Sequence, residues 1–148
     1  MTTRTMTNGA LAVSPVRVDA ATALVRVIAG SVFAAHGAQK LFVWGLEGVA
    51  GGFASMGIPM AGVAGPAVAF LEFFGGIALA VGLLTRLVST GLAVVMLGAL
   101  FMVHLSAGFF APNGIEFVLT LFAIAAGLAI AGPGRYSLDA LIAARRGA

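Results

Sequence analysis

Four long apolar stretches dominate this chain, roughly 22–42, 65–84, 87–106 and 115–132, and each carries one or two ionisable residues. Each stretch approaches the ~20 apolar residues that a helix needs to cross a bilayer. The ionisable residues are His36 and Lys40, then Glu72, then His104, then Glu116. Charge inside hydrocarbon is expensive, so such a group is a functional-site hypothesis by default. Composition closes off the soluble alternative. Of 148 residues 61% are hydrophobic and 9% charged, against about 25% charged in ordinary soluble domains. A soluble fold of this size could not hide so much apolar surface. The expectation is an all-α, polytopic membrane four-helix bundle.

Punctuation sets the expected boundaries. Residues 1–20 are small and polar and read as a flexible cytoplasmic tail. No uncharged apolar core follows Arg4 at signal-peptide spacing, so the first stretch reads as a retained helix with Asp19 as its N-cap. The second stretch opens at Gly65-Pro66, with proline in the first turn. Thr85-Arg86 alone separates stretches two and three, which makes them an antiparallel hairpin. Gly132-Pro133-Gly134 stops the fourth. Residues 21–134 thus form the membrane domain, and 135–148 a basic amphipathic tail. In that tail Ser137 caps a helix whose Leu138, Leu141 and Ile142 face lipid while Arg145 and Arg146 face phosphates. Between 43 and 64, Leu46, Val49, Phe53 and Met56 recur at helical spacing, which predicts a short interfacial helix ended by Gly57-Ile58-Pro59.

Basic residues set the orientation. Arg4, Arg17, Arg86, Arg135, Arg145 and Arg146 all fall on one side of a four-span topology. The positive-inside rule makes that side cytoplasmic, with both termini there and loops 43–64 and 107–114 outside. Arg26, near the inner surface, is expected to snorkel. Small residues four apart, Gly30 with Ala34, Gly76 with Ala80, and Ala123, Gly127 and Ala131, predict close helix packing. No Lys/Arg cluster with interleaved aromatics exists, so nucleic acid is not an expected partner. There is no cysteine, which excludes thiol–disulfide chemistry and thiolate iron–sulfur ligation by this chain itself.

With that orientation all five ionisable residues lie in the outer half of the membrane, His36 and Glu72 deepest. Each has a structural explanation beside the functional one. Lys40 can snorkel, Glu116 can close a capping box with Asn113, and His104 can sit at the interface on a backbone partner. His36 can be a satisfied bundle histidine. Glu72, mid-helix between Phe70-Leu71 and Phe73-Phe74, is the hardest to explain without a partner. It is expected to pair with His36 or Lys40. A carboxylate, an imidazole and an ammonium could serve a quinone headgroup, whose carbonyls need donors when reduced. Metal binding is disfavoured because the ligands come from four helices without local spacing. Axial haem ligation by His36 and His104 is a minimal match met by many bundles, and is disfavoured too.

The blocks Arg26-Val-Ile-Ala-Gly30-Ser-Val-Phe-Ala-Ala-His36-Gly37-Ala-Gln-Lys40-Leu, Phe53-Ala-Ser-Met-Gly57-Ile58-Pro59, Glu72-Phe-Phe-Gly75-Gly76, Gly82-Leu-Leu-Thr85-Arg86 and Gly132-Pro-Gly134-Arg135-Tyr136-Ser137-Leu138-Asp139 stand in order. Together they resemble the DoxX family over about 22–141. The resemblance implies a small four-helix protein of the bacterial inner membrane, some of whose relatives are linked to redox complexes handling oxidative and thiol stress. It supplies no agreed catalytic residue. The expected function is a small membrane subunit of a quinone-linked or oxidative-stress redox system, with a membrane or peripheral redox protein as partner. As an enzyme it would be an oxidoreductase subunit rather than self-sufficient. The alternative is a non-catalytic scaffold or assembly partner. A solute or proton pathway ranks lower, since only a homo-oligomer would give it a continuous polar route.

Overall fold

The computed structural model describes residues 14–147. Those residues are helical throughout their regular structure, with no strand among them. Helix α1 (Pro15–Ala38) runs into a π-helical segment, Gln39–Trp44, and then α2 (Gly45–Ser55). Helix α3 (Ala61–Phe70) passes through a second π segment, Leu71–Gly75, into α4 (Gly76–Val81). Helix α5 (Thr85–Ala99) ends in a third, Leu100–His104, and a short 3-10 turn, Leu105–Ala107. Helices α6 (Glu116–Ala131) and α7 (Leu138–Arg146) complete the chain. The runs Pro15–Ser55, Ala61–Val81 and Thr85–Ala107 are each long and apolar enough to cross a membrane, and α6 is a shorter apolar helix.

Helix starts depart from expectation for local reasons. Helix α1 begins at Pro15, where a missing N–H costs nothing. Residues 15–20 are therefore its first turns rather than tail; residues 1–13 lie outside the described residues. Asp19 is not the cap. Its Oδ1 accepts the Arg135 N–H at 3.1 Å, tying α1 to the C-terminal segment. Helix α3 starts at Ala61, because the Met60 carbonyl accepts both Val63 N–H and Ala64 N–H at 2.8 Å. Pro66 thus lies inside the helix. The run ends at Val81, where Gly82 adopts φ +75° and Leu83 N–H reaches back to the Ala78 carbonyl.

Small residues bring α1 and the α3–α4 run together as their spacing predicted. A Cβ on Gly30 would stand 2.6 Å from the Gly76 carbonyl oxygen, and one on Gly37 would strike the Phe73 backbone. Backbones this close gain dispersion that larger side chains would forbid. The α6 stripe behaves differently. Ala123, Gly127 and Ala131 line an open cleft with Ala21, Thr22 and Val25 of α1, and Gly127 has open space above it. Phe33, Leu79, Leu92, Met96, Leu121 and Leu128 close the interior. Outward, Leu24, Ile28, Val94, Phe101 and Ile130 stay exposed, an apolar belt far beyond what a soluble monomer carries. Helix α2 forms where expected, breaks from α1 at Gly45 (φ +70°), and packs on α3 with Val49 against Gly65.

Candidate functional site at the Lys40–Glu72 pair

Each of the three π-helical segments carries one of the ionisable residues singled out by sequence. Lys40 lies in the first, Glu72 in the second and His104 in the third. A π turn is rare and is found frequently at functional sites. Hydropathy and helical periodicity carry no signal for it.

Lys40 Nζ donates to Glu72 Oε2, joining α1 to the α3–α4 run as an ion pair. The side chains are 14% and 5% exposed, so water screens the pair little. Either charge alone there would be strongly unfavourable, and each answers the other's desolvation. The ammonium has N–H groups beyond the one given to Glu72.

The other three residues stand around this pair without joining it. His36, one turn before Lys40, is exposed, and its ring lies 5.7 Å from that of Phe117 at the start of α6. His104 Nδ1 lies 2.7 Å from the Asn113 carbonyl oxygen. A carbonyl only accepts, so Nδ1 is the donor in this contact. Glu116 does not close a capping box. Its Oε1 accepts the Ala111 N–H at 2.8 Å, bracing the α5–α6 loop, while Ile115 occupies the N-cap position. No three His, Asp or Glu side chains gather as a metal site among the described residues.

At the opposite end the structure corrects the reading of Arg26. It does not snorkel: it is 2% exposed, and Nη2 donates to the Tyr136 carbonyl at 2.5 Å. Its Nε and Nη1 are buried without a protein partner, as are the hydroxyls of Thr85 and Ser89. The guanidinium occupies the place a side chain on Gly82 would need. Beside it, Asp139 accepts Leu84 N–H at 2.8 Å and Thr85 N–H at 2.9 Å, and its own N–H donates to the Gly82 carbonyl. Burial pushes the Asp139 carboxyl upward. The Thr85 and Leu84 N–H groups and the Arg26 charge outweigh it and hold the carboxyl below its ordinary value. The start of α1, the α4–α5 turn and the C-terminal segment are thus pinned together at one end.

The clefts near α5 and α7 and between α1 and α6 are not lined by Lys40, Glu72 or either histidine. Chemistry at the pair therefore rests on side-chain arrangement, not on those clefts. No solved structure matches the chain. "Putative oxidoreductase CatD" of Bacillus subtilis (strain 168) is 36% identical over 123 residues, covering 82% of this chain and 86% of the relative. Residues 21–105 match DoxX, a span that contains Arg26, the Lys40–Glu72 pair and all three π segments, and the chain belongs to the DoxX family.

Proposed function

We propose that this protein is a small integral membrane subunit of a quinone-linked or oxidative-stress redox system, working in the bacterial inner membrane. Lys40, Glu72 and His36 would line a polar pocket in the outer half of the bundle, flanked by His104 and Glu116. In this reading α6 is a fourth span and both termini face the cytoplasm, the side that collects Arg17, Arg86, Arg135, Arg145 and Arg146. The observation that carries the reading is a buried ion pair built on two π turns. The name of the Bacillus relative supports a redox setting.

The residues present suit a quinone headgroup. Lys40 has N–H groups left to donate to a carbonyl oxygen, Glu72 fixes the position of that ammonium, and His36 is open to approach. A quinone would supply two-electron chemistry, and a partner protein the electrons. The test is quinone retained by the purified protein in native-lipid nanodiscs. The reading expects bound quinone in wild type and its loss in Glu72→Gln and His36→Ala. If both variants bind quinone and complement as wild type does, and partner capture depends on 43–64, the scaffold reading takes its place.

The scaffold reading has one observation in its favour. Lys40 and Glu72 already satisfy each other, and a buried pair can serve only to fix helix register.

A further inference from the structure

The end of the bundle away from the Lys40–Glu72 pair carries a second arrangement that the redox reading does not use. Helix α7 is clamped, not loose. Ser137 caps it by accepting Ala140 N–H at 3.1 Å, and Asp139 fastens it to the first residues of α5 through two backbone bonds. Clamping opens two clefts that share Leu84, Asp139 and Ala143. One, of about 490 Å³, is lined by Arg86, Leu87 and Pro133; the other, of about 550 Å³, by Arg146 and Ile142.

The surfaces have two characters. Leu87 is 70% exposed and Leu84 57%, both at the start of the Thr85–Ala107 run, so the clefts are continuous with the lipid-facing belt. The rim is cationic. Arg86 and Arg146 flank the shared centre, and none of the described arginines at this end takes part in a salt bridge. The acidic residues here are already hydrogen-bonded, although Asp139 itself lines both clefts. Asp19 accepts Arg135 N–H, and both Asp139 oxygens are held by N–H groups at the α5 start. The Arg86 guanidinium lies beside Gly132 at the C-terminal end of α6, where the helix dipole favours a cation. An apolar floor that opens to the hydrocarbon, with one guanidinium group on each of two adjoining clefts, matches one chemistry: an acyl chain ending in a phosphate.

We propose that the α4–α5 turn and the clamped α7 form a discrete headgroup site for an anionic phospholipid. Arg86 and Arg146 hold the phosphate, and Leu84 and Leu87 receive the upper acyl chain. The simpler possibility is that exposed arginines attract any anionic surface without a built site. The clamp separates the two, because Asp139→Asn weakens the seating of α7 while keeping every arginine.

The full chain is placed in nanodiscs of equal phosphatidylcholine and phosphatidylglycerol, and co-purifying lipid is counted by native mass spectrometry. Wild type should retain phosphatidylglycerol selectively. Arg86→Gln and Arg146→Gln should each weaken that retention about fivefold, the worth of one basic residue near an anionic surface. Asp139→Asn should also lower it. Arg146, on the last turn of α7, is far from the core, so its substitution leaves the fold intact. Equal retention of both lipids by wild type, or unchanged retention in Arg146→Gln, overturns the site. Retention unchanged in Asp139→Asn overturns the built cleft, and a dimer that excludes lipid from it does the same. None of these readouts depends on quinone.

Discussion

Lys40 and Glu72, 32 positions apart, meet between two helical runs at the point where both leave α-helical geometry. That coincidence ties backbone to charge. The pair stabilises the packing only while both members are present.

Removing one partner should therefore cost more than removing both. Lys40→Met and Glu72→Gln should each destabilise the protein by about 3–5 kcal/mol, the range for an uncompensated buried charge or its polar remnant. Lys40→Met/Glu72→Leu should recover much of that loss. Unfolding in mild detergent, analysed as a double-mutant cycle, checks the coupling. Additive losses would show that the pair contributes nothing beyond its separate side chains.

Arg26 should hold the C-terminal segment in place. Arg26→Gln shortens the side chain and removes the donor to the Tyr136 carbonyl, worth about 1.5–3 kcal/mol for a charged donor. The expected result is faster hydrogen exchange and proteolysis around residues 135–146, with the Lys40–Glu72 end of the bundle unaffected. Arg26→Lys should not restore protection, since an ammonium cannot span the same place as the planar fork.

The Arg26 end of the bundle is less legible in the sequence. An arginine near a membrane surface is ordinarily expected to snorkel, and Arg26 alone gives no sign otherwise. Its true setting depends on Gly82 and Tyr136, residues 56 and 110 positions away. The apolar runs were legible because hydropathy reports lipid exposure directly, and the Gly30–Gly76 contact because small-residue spacing reports backbone approach. The partner of Glu72 was narrowed to two residues, since a buried carboxylate demands a cation. The π turns were not legible, because an extra residue in a helical turn changes neither hydropathy nor propensity. Glu116 was read as a cap, since Asn113 stands at the right spacing, whereas the loop folds back and delivers the Ala111 N–H instead.

Glycine substitutions should separate the two tight contacts. Gly76→Val places branched carbon against the Ala34 backbone and should block assembly of the bundle, read as loss of folded protein after extraction. Gly82→Ala combines a positive φ with collision against the Arg26 guanidinium. It should cost about 1–3 kcal/mol and expose the tail as Arg26→Gln does.

The clamp at Asp139 should depend on pH in one direction. Its carboxyl is held below the ordinary carboxylate value in the folded protein. The stabilisation is therefore complete above that ordinary value and is lost as pH falls through the lowered one. Protection of the Leu84 and Thr85 amides should be flat across neutral and mildly acidic pH and fall only under stronger acid. Asp139→Asn should abolish that acid transition.

The three π segments have a further consequence. Each wide turn offsets the angular phase of the helix beyond it, so a span through such a turn is two half-helices whose faces need not align. Residues on either side of the Leu71–Gly75 turn can therefore face different neighbours, Glu72 toward Lys40 and Gly76 toward Gly30 and Ala34.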